Sequence, residues 1–112
     1  MDNILSLLGL ARRAGSVVSG EFAAEKAVKQ GKAHLVIVAE DASSNTKKLF
    51  TDKCASYGVP CRFYADKEAL GHAIGEQLRA SAAVTDQGFA ASLLKKLDQK
   101  IGGQANGKDQ NL

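Results

Sequence analysis

A chain of 112 residues, 45% hydrophobic and 24% charged, is long enough for one domain that buries its own core without help from a disulfide or a metal. Its net charge of +3 and pI near 9.0 permit a polyanionic partner but fall short of a polybasic tail. Cys54 and Cys61 have no third cysteine or adjoining histidine, so they spell out neither a disulfide framework nor a zinc site.

In chain order, Asp2 or Asn3 can cap a first helix with Ile4, Leu7, Leu8 and Ala11 on one face. Arg12 and Arg13 fall in its last turn, where cations suit the negative end of the dipole, and Gly15 is its stop. Ser16-Val17-Val18-Ser19 reads as a brief strand leading into a second helix that Ser19 would cap and Gly31 would end. Leu35-Val36-Ile37-Val38-Ala39 is apolar at every position, the pattern of a strand buried on both faces. A third helix from Ser43 or Ser44 to Tyr57 would turn Leu49, Phe50, Cys54 and Tyr57 inward and stop at Gly58. Pro60 opens the short strand Cys61-Arg62-Phe63-Tyr64. Asp66 can cap a fourth helix carrying Ala69, Leu70, Ala73 and Ile74; Ala82-Ala83-Val84-Thr85 is the last strand. A fifth helix, with Phe89, Leu93 and Leu97 inward, would run from Asp86 or Gln87 to about Lys100.

This alternation predicts an α/β sandwich, its strands joined through helices, parallel and right-handed in their crossovers, with helices on both faces. Residues 1–100 form the single expected domain; residues 101–112, rich in Gly and amides, are expected to be a flexible tail. No apolar run is long enough to cross a bilayer and no leader is visible, so a cytoplasmic protein with reduced thiols is expected.

Catalytic apparatus is hard to find. There is no phosphate-binding Gly-x-x-x-x-Gly-Lys-Ser/Thr loop, and Gly15 and Gly20 lack the third glycine of a dinucleotide fingerprint. His34 and His72 have no recognisable nucleophile and carboxylate beside them. Glu40-Asp41 follows the central strand, where α/β ligand sites often lie, yet a turn and the cap of the next helix explain the pair as well. No metal or cofactor is expected. The second helix carries the better signal: Ala24, Ala27 and Val28 make a narrow apolar stripe, leaving Glu21, Glu25, Lys26, Lys29 and Lys32 toward solvent. Gly20 would let a phosphate backbone approach the helix N-terminus. A solvated face with a Glu25–Lys29 pair accounts for the same charges.

Leu35-Val36-Ile37-Val38-Ala39-Glu40-Asp41, with Gly20 before the second helix, Lys26-Ala27-Val28 within it, Gly31 after it, Val59-Pro60, Leu70-Gly71 and Gly75, resembles the L-seven-Ae family of ribosomal and kink-turn RNA-binding proteins over roughly residues 4–97. The leading Ala-Arg-Arg-Ala-Gly is most similar to the small bacterial, ribosome-associated members. The resemblance implies a three-layer α/β/α sandwich with a four-stranded mixed sheet, binding RNA without catalysis. It places the RNA site at the start of the second helix and in the loop before the last strand. Where the family has Gly-Thr-Asn-Glu and then Lys, this chain has Gly20-Glu21-Phe22-Ala23 and then Lys26, so the polar readers of sheared G·A pairs are missing. The loop corresponds to Leu78-Arg79-Ala80-Ser81.

The expected RNA-binding residues are therefore Arg12, Arg13, Gly20, Glu21, Phe22, Lys26, Lys29, Lys32, Arg79, Ala80 and Ser81. The expected partner is structured RNA, ribosomal or kink-turn-like, bound by a monomer associated with the ribosome and with no membrane. Two other classes stay open: a module that docks a protein through Phe22, and a stand-alone recognition domain related to those of RNA methyltransferases. Phe22 itself could stack on an unpaired base or serve as a buried staple at the helix entry.

Overall fold

The computed structural model describes the backbone of residues 2–109 and the side chains of residues 2–100. Elements follow in the order α1 (Asn3–Arg13), β1 (Val17–Ser19), α2 (Glu21–Lys29), β2 (Leu35–Val38), α3 (Ser44–Tyr57), β3 (Cys61–Phe63), α4 (Lys67–Ala73), β4 (Ser81–Val84) and α5 (Gln87–Asp109). The expected flexible tail, residues 101–112, lies outside the described side chains, although α5 is traced past the expected end near Lys100.

Four helices begin where short acceptors stand ready for orphan N–H groups. Asp2 accepts from the Leu5 N–H at 2.7 Å, Ser43 from Thr46 at 3.1 Å, Asp66 from Ala69 at 2.8 Å and Asp86 from Phe89 at 2.8 Å. The second helix departs from expectation. Its cap is Gly20, which offers no side-chain bond, while Ser19 is the last residue of β1 and its hydroxyl accepts from Arg79 instead. At φ 93° and ψ 156°, Gly20 occupies a region nearly closed to residues with a Cβ, and this sharp corner carries the chain from strand to helix.

The sheet order is β1-β4-β2-β3. Only β2 and β3 are parallel; β4 runs antiparallel to both β1 and β2, with Val36 opposite Ala83 and Val18 opposite Ala83 on its other side. The sheet is thus mixed, as the resemblance implied, and not parallel throughout as alternation alone suggested. The reversal comes from β4, whose insertion between β1 and β2 cannot be read from its own small residues.

Period-two alternation divides the apolar residues between two cores. Leu35, Ile37, Ala82 and Val84 face α1, α4 and α5, while Val36, Val38 and Ala83 face α2 and α3. Helices cover both sides, giving three layers. Every residue of β2 is fully buried, and each large side chain there contributes roughly 1.5–3 kcal/mol by leaving water. Tyr57 does not join this core: it is 50% exposed in the last turn of α3, just before Gly58, whose φ of 69° ends the helix. Cys54 is buried and Cys61 half-buried, both as free thiols; hydrogen bonding to Cys61 and burial hold the Cys54 thiol well above its ordinary pKa.

Candidate nucleic-acid interface

The antiparallel placement of β4 decides what surrounds the start of α2. The Gly20 N–H donates to the Ser81 carbonyl at 3.0 Å, extending the β1–β4 ladder to the first residue of β4. Helix start and preceding loop therefore touch, although some sixty residues separate them in sequence. Arg79 reinforces the contact: Nε donates to Ser19 Oγ at 3.0 Å, Nη1 to the Leu78 carbonyl at 2.9 Å and Nη2 to Glu76 Oε1 at 3.0 Å. The other oxygen of Glu76 meets Arg12 Nη2 at 3.4 Å, and Arg12 Nη1 donates to the Val17 carbonyl at 3.3 Å. That carbonyl lies on the free edge of β1, since Ser16 and Gly20 are the residues bonded toward β4. Arg12 thereby covers an open strand edge.

The expected site residues separate into three groups. Arg12 and Arg79 are gathered beside Gly20 but share Glu76 and are partly committed to holding the loop against β1. Lys26, Lys29 and Lys32 lie exposed on or just past α2; Lys29 pairs with Glu25 at 3.8 Å, whereas Lys26 and Lys32 have no ion-pair partner among the described residues. Phe22 is 79% exposed on the first turn, so it is not a buried staple. Glu21 is exposed and turned toward α3, accepting from the Thr46 hydroxyl at 3.1 Å.

Three positions stand apart. The Arg13 guanidinium turns back over Gly9 toward α4, away from the α2 lysines. Ser81 is fully buried and its hydroxyl has no partner among the described residues; only its carbonyl takes part, as the anchor of Gly20. Ala80, half-buried, spends its carbonyl on the Ala39 N–H at 2.8 Å. The Ser81 side chain is turned inward at the first residue of β4, and the Ala80 methyl packs against the core beneath α2 and α3.

His34 and His72 are exposed. Asp41 accepts from the Lys67 N–H at 2.8 Å, joining the loop after β2 to the start of α4 rather than capping α3, which Ser43 does. Among the described residues no group of three His, Cys, Asp or Glu side chains could hold a metal ion. Sequence reasoning missed Glu76, which ties both arginines to one point; its spacing of three before Arg79 was the available signal. It also missed Gln30, which lines two shallow clefts beside Phe22.

The profile of the ribosomal protein L7Ae/L30e/S12e/Gadd45 family matches residues 2–94. The chain belongs to that family. As an L7Ae-family member it is 51% identical over 92 residues to the RNA-binding protein YlxQ of Bacillus subtilis (strain 168), a match covering 82% of this chain and 92% of the relative. It is 40% identical over 86 residues to the YlxQ protein of Enterococcus faecium, covering 77% and 82%. Among solved structures, a Bacillus halodurans protein described as of unknown function superposes with a TM-score of 0.85 at 42% identity, over 88% of this chain and 99% of that one. The Giardia lamblia 15.5kD RNA binding protein superposes with a TM-score of 0.73 at 28% identity, over 85% and 84%. The three-layer sandwich is thus that of L7Ae-like RNA-binding proteins, and the contact between the start of α2 and the loop before β4 lies within the matched region.

Proposed function

We propose that this L7Ae-family chain is a non-catalytic RNA-binding protein that takes structured RNA, ribosomal or kink-turn-like, as a cytoplasmic monomer associated with the ribosome. The observation that carries the reading is the junction at Gly20. There the first N–H groups of α2 adjoin the Arg79 loop, and exposed lysines follow along α2 and just past it. Unpaired N–H groups and the positive end of the helix dipole favour a phosphate, and Gly20 lets the backbone of an RNA approach closely. Lys26 and Lys32 are free to give salt-dependent contacts, while Arg12 and Arg79 hold the loop in place and present whatever donors Glu76 leaves. The names of the YlxQ relatives and of the Giardia protein support RNA as the ligand. No helix among the described residues is long and apolar enough to cross a membrane.

The residues at the start of α2 suit phosphate contact more than readout of a kink-turn's base edges. Asn and Glu side chains could pair with base edges, whereas Phe22 and Ala23 have no polar atoms to do so. Crosslinking in cells followed by sequencing of the bound RNA tests the reading. Enrichment of particular structured RNAs, lost in a Lys26→Glu, Lys32→Glu variant that still folds, is the expected result. Equal recovery with wild type and variant would overturn the assignment of the site.

A further inference from the structure

Phe22 is the most exposed of the large hydrophobic side chains described, at 79%, against 58% for Leu78 and 50% for Leu10 and Tyr57. A phenyl ring left in water forgoes the free energy of burial, so its position needs an explanation that the fold does not supply. Phe22 and Lys26 of α2 and its C-cap residue Gln30 recur every four residues and line one side of the helix and its end. On either side of that line lies a shallow cleft. One, of about 200 Å³, is bounded by Phe22, Glu25, Lys26, Lys29 and Gln30. The other, of about 300 Å³, reaches Val18, Lys32 and Thr85 and shares Phe22, Lys26 and Gln30 with the first. Volumes at or below the lower end of the roughly 300–1,000 Å³ typical of small-molecule sites suit a flat group lying on the surface rather than an enclosed ligand. Three lysines line the two clefts, two of them without an ion-pair partner among the described residues, and the one acid there, Glu25, is paired with Lys29.

We infer that the α2 face is a platform for unpaired RNA: a base stacks on Phe22, the Gln30 amide, two turns further along, pairs with the edge of the neighbouring base, and Lys26 and Lys32 hold the flanking phosphates. This rests on the RNA-binding reading and deepens it, for it names single-stranded nucleotides beside a duplex as the segment recognised at this face. An apolar ring alone would equally suit a protein pocket; the cations that line the clefts beside it and have no ion-pair partner among the described residues favour a polyanion.

The test uses the full chain and a hairpin RNA with a short unpaired strand carrying the fluorescent base 2-aminopurine, compared at one salt concentration with the same hairpin whose strand is fully paired. Wild type is expected to prefer the unpaired form by roughly 5- to 150-fold, the range given by one base–aromatic stack, and to quench 2-aminopurine. Phe22→Leu keeps an apolar side chain but removes the ring, so preference and quenching should both collapse; Phe22→Trp should retain both. Gln30→Leu should keep the quenching and flatten preference among the four unpaired bases. Salt-dependent binding to both RNAs with a preference unchanged in Phe22→Leu would overturn the platform while leaving RNA binding intact, and would turn the ring toward a protein partner. Failure of wild type to bind either RNA would overturn both readings. A base preference unaltered in Gln30→Leu would remove Gln30 from the site.

Discussion

Gly71→Ala should destabilise this protein, although the same change in an ordinary helix interior is stabilising. Gly71 lies in α4 with no unusual φ, so Ala would be expected to gain about 1 kcal/mol in helix propensity. A Cβ there would stand 2.5 Å from the Gln77 carbonyl oxygen, 2.8 Å from its carbon and 3.1 Å from the Arg79 nitrogen. All three are backbone atoms, so no side-chain rotation relieves the clash. The loop must move, and it is held by the bond from Glu76 N–H to the Gly71 carbonyl at 2.8 Å and from Arg79 N–H to the Lys67 carbonyl at 3.1 Å. Overpacking of this kind costs about 1–3 kcal/mol, and the rigidity of the neighbours places it at the upper end. The net loss is then about 2 kcal/mol, or a fall of about 8 °C in melting temperature for a domain of this size. Circular dichroism melts of wild type and variant measure it. Because the displaced loop carries Arg79 onto Ser19, RNA affinity should also drop at temperatures where the variant is folded. A melting temperature equal to or above that of wild type would refute the close approach of α4 to this loop.

Three further outcomes follow from other parts of the molecule. Ile37→Asp puts a charge at a fully buried position facing α1, α4 and α5, and should abolish cooperative melting because an unpaired buried charge costs several kcal/mol against a total of roughly 5–15; a soluble, cooperatively melting variant would contradict the assignment of β2. Phe22→Asn with Ala23→Glu should tighten binding to a kink-turn relative to a straight duplex by about 1–3 kcal/mol, with no loss of thermal stability since Phe22 is exposed; a destabilised variant with no gain would count against it. Burial pushes the Asp2 carboxyl up, but the hydrogen bonds it accepts from the Leu5 N–H and the Tyr64 hydroxyl outweigh this and hold its pKa below the ordinary value. A depressed pKa contributes stability that is full above the unfolded-state pKa and lost as pH falls through the folded one. Denaturation midpoints of wild type and Asp2→Asn should therefore converge in strong acid, and a constant gap would contradict the role of the carboxylate.

How much the sequence reveals depends on whether the cause is local. Asp2, Ser43, Asp66 and Asp86 mark four helix starts because a cap needs only residues within one turn, and β2 shows its burial through an unbroken apolar run. Ser19 misled for an equally local reason: it has the chemistry of a cap, but the ladder to β4 continues through Gly20 and moves the helix start by one residue. Long-range pairings explain the remaining differences. The commitment of Arg12 to Glu76 joins residues 64 apart, and the loss of the Ser81 side chain to the core follows from the position of β4 between two strands. Lys26 and Lys32 were legible as surface cations; that Phe22 stands bare between their clefts required the packing of α2.

The central claim, that cations of α2 meet RNA phosphates, is tested most directly by affinity for one structured ribosomal RNA fragment over a salt series, with wild type, Lys26→Glu, Lys32→Glu and, on the opposite layer, Lys95→Glu. Wild type should give a falling line of log affinity against log salt. Each α2 variant should flatten that slope by roughly 0.7–0.9, the share of one phosphate contact, and Lys95→Glu should leave it unaltered. Slopes unchanged in both α2 variants, or flattened only by Lys95→Glu, would contradict the account.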